Sequence, residues 1–163
     1  MNTNSADVSN ALAALLSELA DGASSDACYV LNRGDAGLLQ ALEKLSATAA
    51  SRPAPTGSTI AAHVDHLRYG VSLMNRWASG ENPWTDADWT ASWRKTTVSE
   101  PAWRRLRDQL RDVIHRWLQT VRTPRDVNDI ELNGMVGSVV HLAYHIGAIR
   151  QMNSAARGPL ARD

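Results

Sequence analysis

The sequence predicts an all-α protein, an antiparallel four-helix bundle with an additional N-terminal helix. Three observations carry that expectation. Every strongly periodic segment repeats its apolar residues at helical spacing, and no stretch alternates as a half-buried strand would. Breaks rich in glycine and proline divide the chain into pieces of helix length. One piece keeps a near-heptad apolar stripe, the pattern that bundle packing requires. The 163 residues, 44% of them hydrophobic, suffice for a single domain over 1–163 whose core needs no disulfides.

The first helix is expected from about Ser5 to Ala20, with Leu12, Leu15, Leu16 and Leu19 on one face. Asp21-Gly22-Ala23-Ser24-Ser25 breaks it. Tyr29-Val30-Leu31 is a short apolar run compatible with extended or helical backbone. Asn32 to Gly37 reads as a turn, with Asp35 placed to cap a helix that carries Leu38, Leu39, Leu42 and Leu45. Ser51-Arg52-Pro53-Ala54-Pro55-Thr56-Gly57 is a linker, because two prolines and a glycine cannot continue a helix. Ser58 is expected to cap a helix reaching about Ser79, which Gly80 to Pro83 end. A tryptophan-rich connection runs to Thr97. Ser99 and Pro101 start the helix bearing the stripe Trp103, Leu106, Leu110, Val113, Trp117 and Val121, and Pro124 closes it. The last helix is expected from about Leu132 to Ala156, before Gly158-Pro159.

Composition excludes several classes of function. Seventeen basic residues balance seventeen acidic ones, which offers no case for electrostatic nucleic-acid binding, since that needs a concentrated basic surface. No run approaches the ~20 apolar residues of a membrane span, and the N-terminus lacks the basic start and apolar run of a signal peptide. One cysteine, Cys28, fits a reducing compartment. A cytoplasmic protein without nucleic-acid or membrane partners is therefore expected. Six tryptophans accompany no phenylalanine, and three of them fall between Trp84 and Trp93. That aromatic excess suggests a homodimer.

Four of the five histidines are paired one helical turn apart. His141 and His145 advance a helix by about 400° and roughly 6 Å, so both imidazoles leave the same face. Two such nitrogens can meet one metal ion at about 2.0–2.1 Å. They lie beside the apolar stripe Met135, Val139, Leu142, Ile146 and Ile149, on a strip that also carries the small residues Gly134, Gly137, Ser138 and Ala148. His63 and His66 fall on the apolar face of their own helix with Ile60, Leu67, Leu73, Met74 and Trp77, while Asp65, Arg68 and Arg76 are expected to point away. A buried imidazole must be neutral and hydrogen-bonded, or bound to metal. Three histidine ligands with open positions describe a catalytic or exchangeable site. Spacing alone leaves open whether His63 or His66 is the third ligand. No carboxylate shares the His141 strip, which argues against a di-iron centre, and His115 is expected in solvent.

Ala62-His63-Val64-Asp65-His66-Leu67, a tryptophan-containing crossover, and His141-Leu142-Ala143-Tyr144-His145-Ile146-Gly147-Ala148-Ile149-Arg150-Gln151 together resemble the DinB/YfiT-like superfamily of metalloenzymes. The resemblance runs from about Tyr29 to Met152. It implies a four-helix bundle with a shallow divalent-metal site on three histidines. In this chain those positions are His66, His141 and His145, with His63 an alternate ligand or one that supports the ligands. It also implies activities such as thiol S-transfer with bacillithiol- or mycothiol-like cofactors, in a metal-dependent transferase or hydrolase, although no thiol-cofactor signature is legible in this chain.

Zinc is the first choice for three histidines, and nickel, iron or manganese can use the same donors. Three neutral imidazoles leave such an ion electrophilic enough to hold a thiol or water as its anion. Trp84, Trp89, Trp93, Tyr144 and Arg150 are the candidate pocket residues for a small-molecule substrate. Arg150 could bind an anionic group or pair with a carboxylate. The competing expectation is a helical module that binds a metal or small ligand without turnover.

Overall fold

The computed structural model describes residues 5–23, 28–55, 57–123 and 125–161, and among these it is all-helical. In chain order the helices are α1 (Ser5–Asp21), α2 (Gly37–Glu43), α3 (Ala47–Ala50), α4 (Ile60–Ala78), α5 (Glu100–Arg122) and α6 (Asp129–Met152). Tight 3₁₀ turns lie at Pro83–Thr85, Ala91–Trp93 and Ser154–Ala156. The expected breaks at Ser24-Ser25, Thr56 and Pro124, and the N-terminal stretch 1–4, lie outside the described residues. Among those described, no helix is long and apolar enough to cross a membrane.

The four long helices, α1, α4, α5 and α6, enclose one core. Leu16 and Leu19 of α1, Leu67 of α4, Trp103, Leu110 and Trp117 of α5, and Leu142 and Ile149 of α6 are almost fully buried in it. The expected N-terminal helix is thus part of the bundle wall, packed on α5 and α6. The stripe expected on α5 is buried except for Val113, which is half-buried at its edge, and Ile114 and Leu118 join it. Aromatic polar tips are satisfied within the core: Trp103 Nε1 donates to the Leu45 carbonyl at 2.7 Å, and Trp117 Nε1 to Ser138 Oγ at 2.8 Å.

Helix directions follow from which residues meet. His63 faces His145 and His66 faces His141, so α4 and α6 run antiparallel. Thr59 at the start of α4 donates to the Thr96 carbonyl, and Asn75 near its end donates to the Val113 carbonyl, both at 2.9 Å. Hence α4 and α5 run parallel, and the expected antiparallel order does not extend to this pair. The connection 79–99 makes this possible, since it is long enough to run back along a 19-residue helix of about 28 Å.

Several boundaries move, each for a local reason. Thr59, not Ser58, caps α4: its backbone is extended and its Oγ1 accepts from Ala62 N at 3.2 Å. α6 starts three residues before Leu132, because Asn128 and Glu131 form a reciprocal capping box. It ends at Met152, and Ser154–Ala156 is a separate 3₁₀ turn after the extended Asn153. The helix expected through Leu45 stops at Glu43. Asp35 does help start it, accepting from Gly37 N at 3.0 Å. Gly37 has φ +76°, and a Cβ there would lie 2.4 Å from Gly22 N, so α2 begins hard against the end of α1.

Tyr29-Val30-Leu31 is not helical. The three successive N–H groups donate to the buried Glu18 carboxylate, at 3.0 Å from Tyr29, 2.8 Å from Val30 and 2.6 Å from Leu31. Burial pushes the Glu18 carboxyl up, but these backbone donors together outweigh it and hold the group below its ordinary value.

Candidate metal centre

α4 and α6 bring four imidazoles into one buried cluster. His63, His66 and His145 are buried, and His141 is half-buried at its edge. Gly134 of α6 leaves room for a ring of α4, since a Cβ there would lie 2.8 Å from the Trp77 ring, whereas a Cβ on Gly70 of α4 would only touch His141 Cε1, at 3.4 Å.

Three ring nitrogens converge. His141 Nε2 lies 3.1 Å from His66 Nε2 and 3.0 Å from His145 Nε2. An imidazole nitrogen carries either one proton or one lone pair, so His141 Nε2 cannot satisfy both neighbours with ordinary hydrogen bonds. The spacing does fit a shared cation. Nitrogens bonded at 2.0–2.1 Å to one ion stand about 2.9–3.4 Å apart in octahedral or tetrahedral arrangements. His66, His141 and His145 are also the set whose ligand atoms all lie within 4.8 Å of one another.

Protonation favours the same use. Burial pushes His145 down to about 3, helped by repulsion from His141, His63 and His66. Burial also pushes His66 down to about 4, with His141 and His63 adding to the effect and Asp65 opposing it. Burial lowers His63 and His141 as well. All four rings are therefore neutral at pH 7, the state in which imidazole donates a lone pair.

The surroundings fix which nitrogen of His66 holds its proton. Ser92 Oγ donates its only hydrogen to the Trp89 carbonyl at 2.6 Å, and His66 Nδ1 lies 2.8 Å from the same oxygen. His66 Nδ1–H must then be the donor to Ser92, which leaves the Nε2 lone pair facing the cluster. His145 Nδ1 lies 2.8 Å from His63 Nδ1. If His145 offers its Nε2 lone pair, its Nδ1–H donates to His63, and His63 Nε2–H faces Ser58 Oγ at 3.4 Å. His63 thus stands behind His145, outside the three-nitrogen convergence.

The crossover covers the cluster. The Trp93 ring stacks on His66 at 4.3 Å and 24° and meets His63 edge-on at 5.1 Å. Two cavities flank the site. One of about 820 Å³ has His63, Trp93 and Tyr144 in its wall; the other, about 300 Å³, has His66, His141, Trp84 and Trp89. Tyr144 is 70% exposed at the rim and meets His145 edge-on at 5.1 Å.

Other expected residues lie elsewhere. Arg150 lines neither of these cavities; it pairs with the buried Asp35 at 2.8 Å, the carboxylate alternative of its two expected roles. His115 is only part-exposed and lies 3.0 Å from Asp21. Asp65 does not point into solvent: the crossover covers it, and it pairs with Arg68 at 2.8 Å and Lys95 at 3.4 Å. Sequence reasoning missed Ser92, 26 positions from the ring it orients, and Arg52 in the wall of the larger cavity. Neither carries a local signal, because both roles arise only when distant segments meet.

A family model described as DinB superfamily matches residues 31–149, well over half of the chain. No curated protein and no solved structure gives a match.

Proposed function

The chain belongs to the DinB superfamily, and from that premise we propose that it is a divalent-metal-dependent enzyme whose ion is held by His66, His141 and His145. The observation that carries this reading is the convergence of three Nε2 atoms, 3.0–3.1 Å from the central His141, with the His66 tautomer set by Ser92. Zinc is the preferred ion for such a donor set, with nickel, iron and manganese as alternatives.

A divalent ion on three neutral ligands would supply Lewis acidity, stabilising the anion of a bound thiol or water. The chain's own residues do the rest. Ser92 orients His66, and His63 orients His145 through Nδ1 while holding a proton at Nε2 toward Ser58. Trp93 shields one face of His66 from water. The resemblance to DinB-like enzymes favours group transfer to or from a thiol as the reaction class, on a small-molecule substrate; His66 and His141 border the smaller cavity and His63 the larger.

Metal analysis of protein purified without a histidine tag tests the proposal. About one divalent ion per chain is expected after reconstitution, and His141→Ala should lose it. Absence of bound metal in reconstituted, folded wild-type protein overturns the reading in favour of a metal-free bundle with hydrogen-bonded histidines.

A further inference from the structure

The larger cavity differs from the rest of the molecule in its charge. Its wall contains one formally charged side chain, Arg52, and no carboxylate. Several arginines elsewhere are paired: Arg68 with Asp65, Arg76 with Glu81 and Asp86, Arg111 with Glu43, Arg125 with Glu131, Arg150 with Asp35. The exposed Arg52 guanidinium, like those of Arg104, Arg105, Arg116 and Arg122, has no hydrogen bond or ion pair among the described residues, but it alone of these borders a cavity.

Its backbone is nonetheless fixed. Arg52 N donates to the Ala49 carbonyl at 3.3 Å as α3 ends, Pro53 restricts the next step, and Ala54 N donates to Ser58 O at 2.8 Å. An exposed guanidinium on an anchored base, beside a cavity whose wall carries no carboxylate, is free to pair with an anion held in that cavity. The wall beyond it is apolar and aromatic, from Ile60, Trp93 and Tyr144, with the amide of Gln151 available for hydrogen bonding.

We propose that this cavity is the substrate subsite for a small organic anion, whose carboxylate or phosphate pairs with Arg52 and whose apolar body lies against Trp93 and Tyr144. This assignment rests on the proposed function, since it places that anion beside His63 at the edge of the histidine cluster. It gives Arg52 the role that the sequence offered to Arg150.

The test uses 3-phenylpropanoate and its neutral amide as probes, followed by tryptophan fluorescence and calorimetry, on both zinc-loaded and chelator-treated protein. The acid should bind about tenfold more tightly than the amide in both forms, the difference one charge-assisted contact supplies. Arg52→Gln should abolish that preference and leave amide affinity unchanged, and Arg52→Lys should restore part of it. Equal affinity of acid and amide, or no binding of either, overturns the proposal. So does a preference confined to zinc-loaded protein and indifferent to Arg52→Gln, because the carboxylate then goes to the metal. Metal content, measured on the same samples, reports separately on the three-histidine reading.

Discussion

Replacing Ser92 with alanine should weaken divalent-metal binding by about ten- to a hundredfold while leaving the bundle folded. The hydroxyl accepts from His66 Nδ1 at 2.8 Å and donates to the Trp89 carbonyl at 2.6 Å, and both His66 and Ser92 are buried. Without that acceptor the buried ring has no preferred tautomer, so part of the population turns a proton toward the site. The loss corresponds to roughly 1.4–2.7 kcal/mol of binding free energy. The orphaned Nδ1–H adds an instability of about 1–3 kcal/mol to the metal-free protein. Zinc affinity by chelator competition measures the first effect, and urea unfolding of metal-free protein the second. Ser92→Thr, which keeps the hydroxyl, should retain most of the affinity. Nitrogen chemical shifts of His66 should report the Nδ1–H form in the wild type. Unchanged zinc affinity in folded Ser92→Ala, or a His66 proton found on Nε2, would refute the reasoning.

Other perturbations probe different layers of the same construction. His63→Ala should cost about ten- to a hundredfold in metal affinity and His145→Ala far more, because His63 only orients a donor; equal losses in the two variants would place His63 among the ligands. Arg150→Ala leaves the buried Asp35 carboxylate without its cation, so urea denaturation should show a loss of about 3 kcal/mol, with zinc affinity unchanged in the folded protein. Folded-state values for His66 of about 4 and for His145 of about 3 lie below the unfolded value of 6.5, so the unfolded chain binds protons first. Stability of the metal-free protein should therefore be fully present above pH 6.5 and fall as pH drops toward 4. Each of these two histidines contributes up to about 1.4 kcal/mol per pH unit. A flat unfolding free energy between pH 7.5 and 5 contradicts that.

Much of this architecture was legible because it is local. The turn from His141 to His145 sets two donors on one face wherever the helix sits, and His66 followed by Leu67 lies on an apolar face that must turn inward. The stripe from Trp103 to Val121 reads directly as a buried bundle face. The boundary errors were also local, and visible in hindsight: Asn128-Asp129-Ile130-Glu131 is a capping-box sequence that moves the start of α6 before Leu132. What periodicity could not supply was direction and company. Nothing in the connection 79–99 states that it returns to the start of α4 and makes α4 and α5 parallel. The partners of Asp65 and Arg150 are equally silent, since Lys95 and Asp35 reach them only through the fold. For the same reason two arginines of identical chemistry could not be told apart: Arg150 meets a buried carboxylate, while Arg52 meets open space.

The crossover between α4 and α5 divides labour in a way that bears on how such a protein can change. The candidate ligands sit on two long helices whose other faces form the core, where almost any substitution disturbs packing. The hydroxyl that orients His66, the indole that shields it and the rings bordering the smaller cavity all come from a connection with only short turns of its own. Variation in this one segment can therefore retune metal affinity and reshape the approach to the site while the donors and the core stay as they are. The bundle acts as a fixed chassis and the crossover as its exchangeable fitting, an arrangement suited to deriving many activities from one set of histidines.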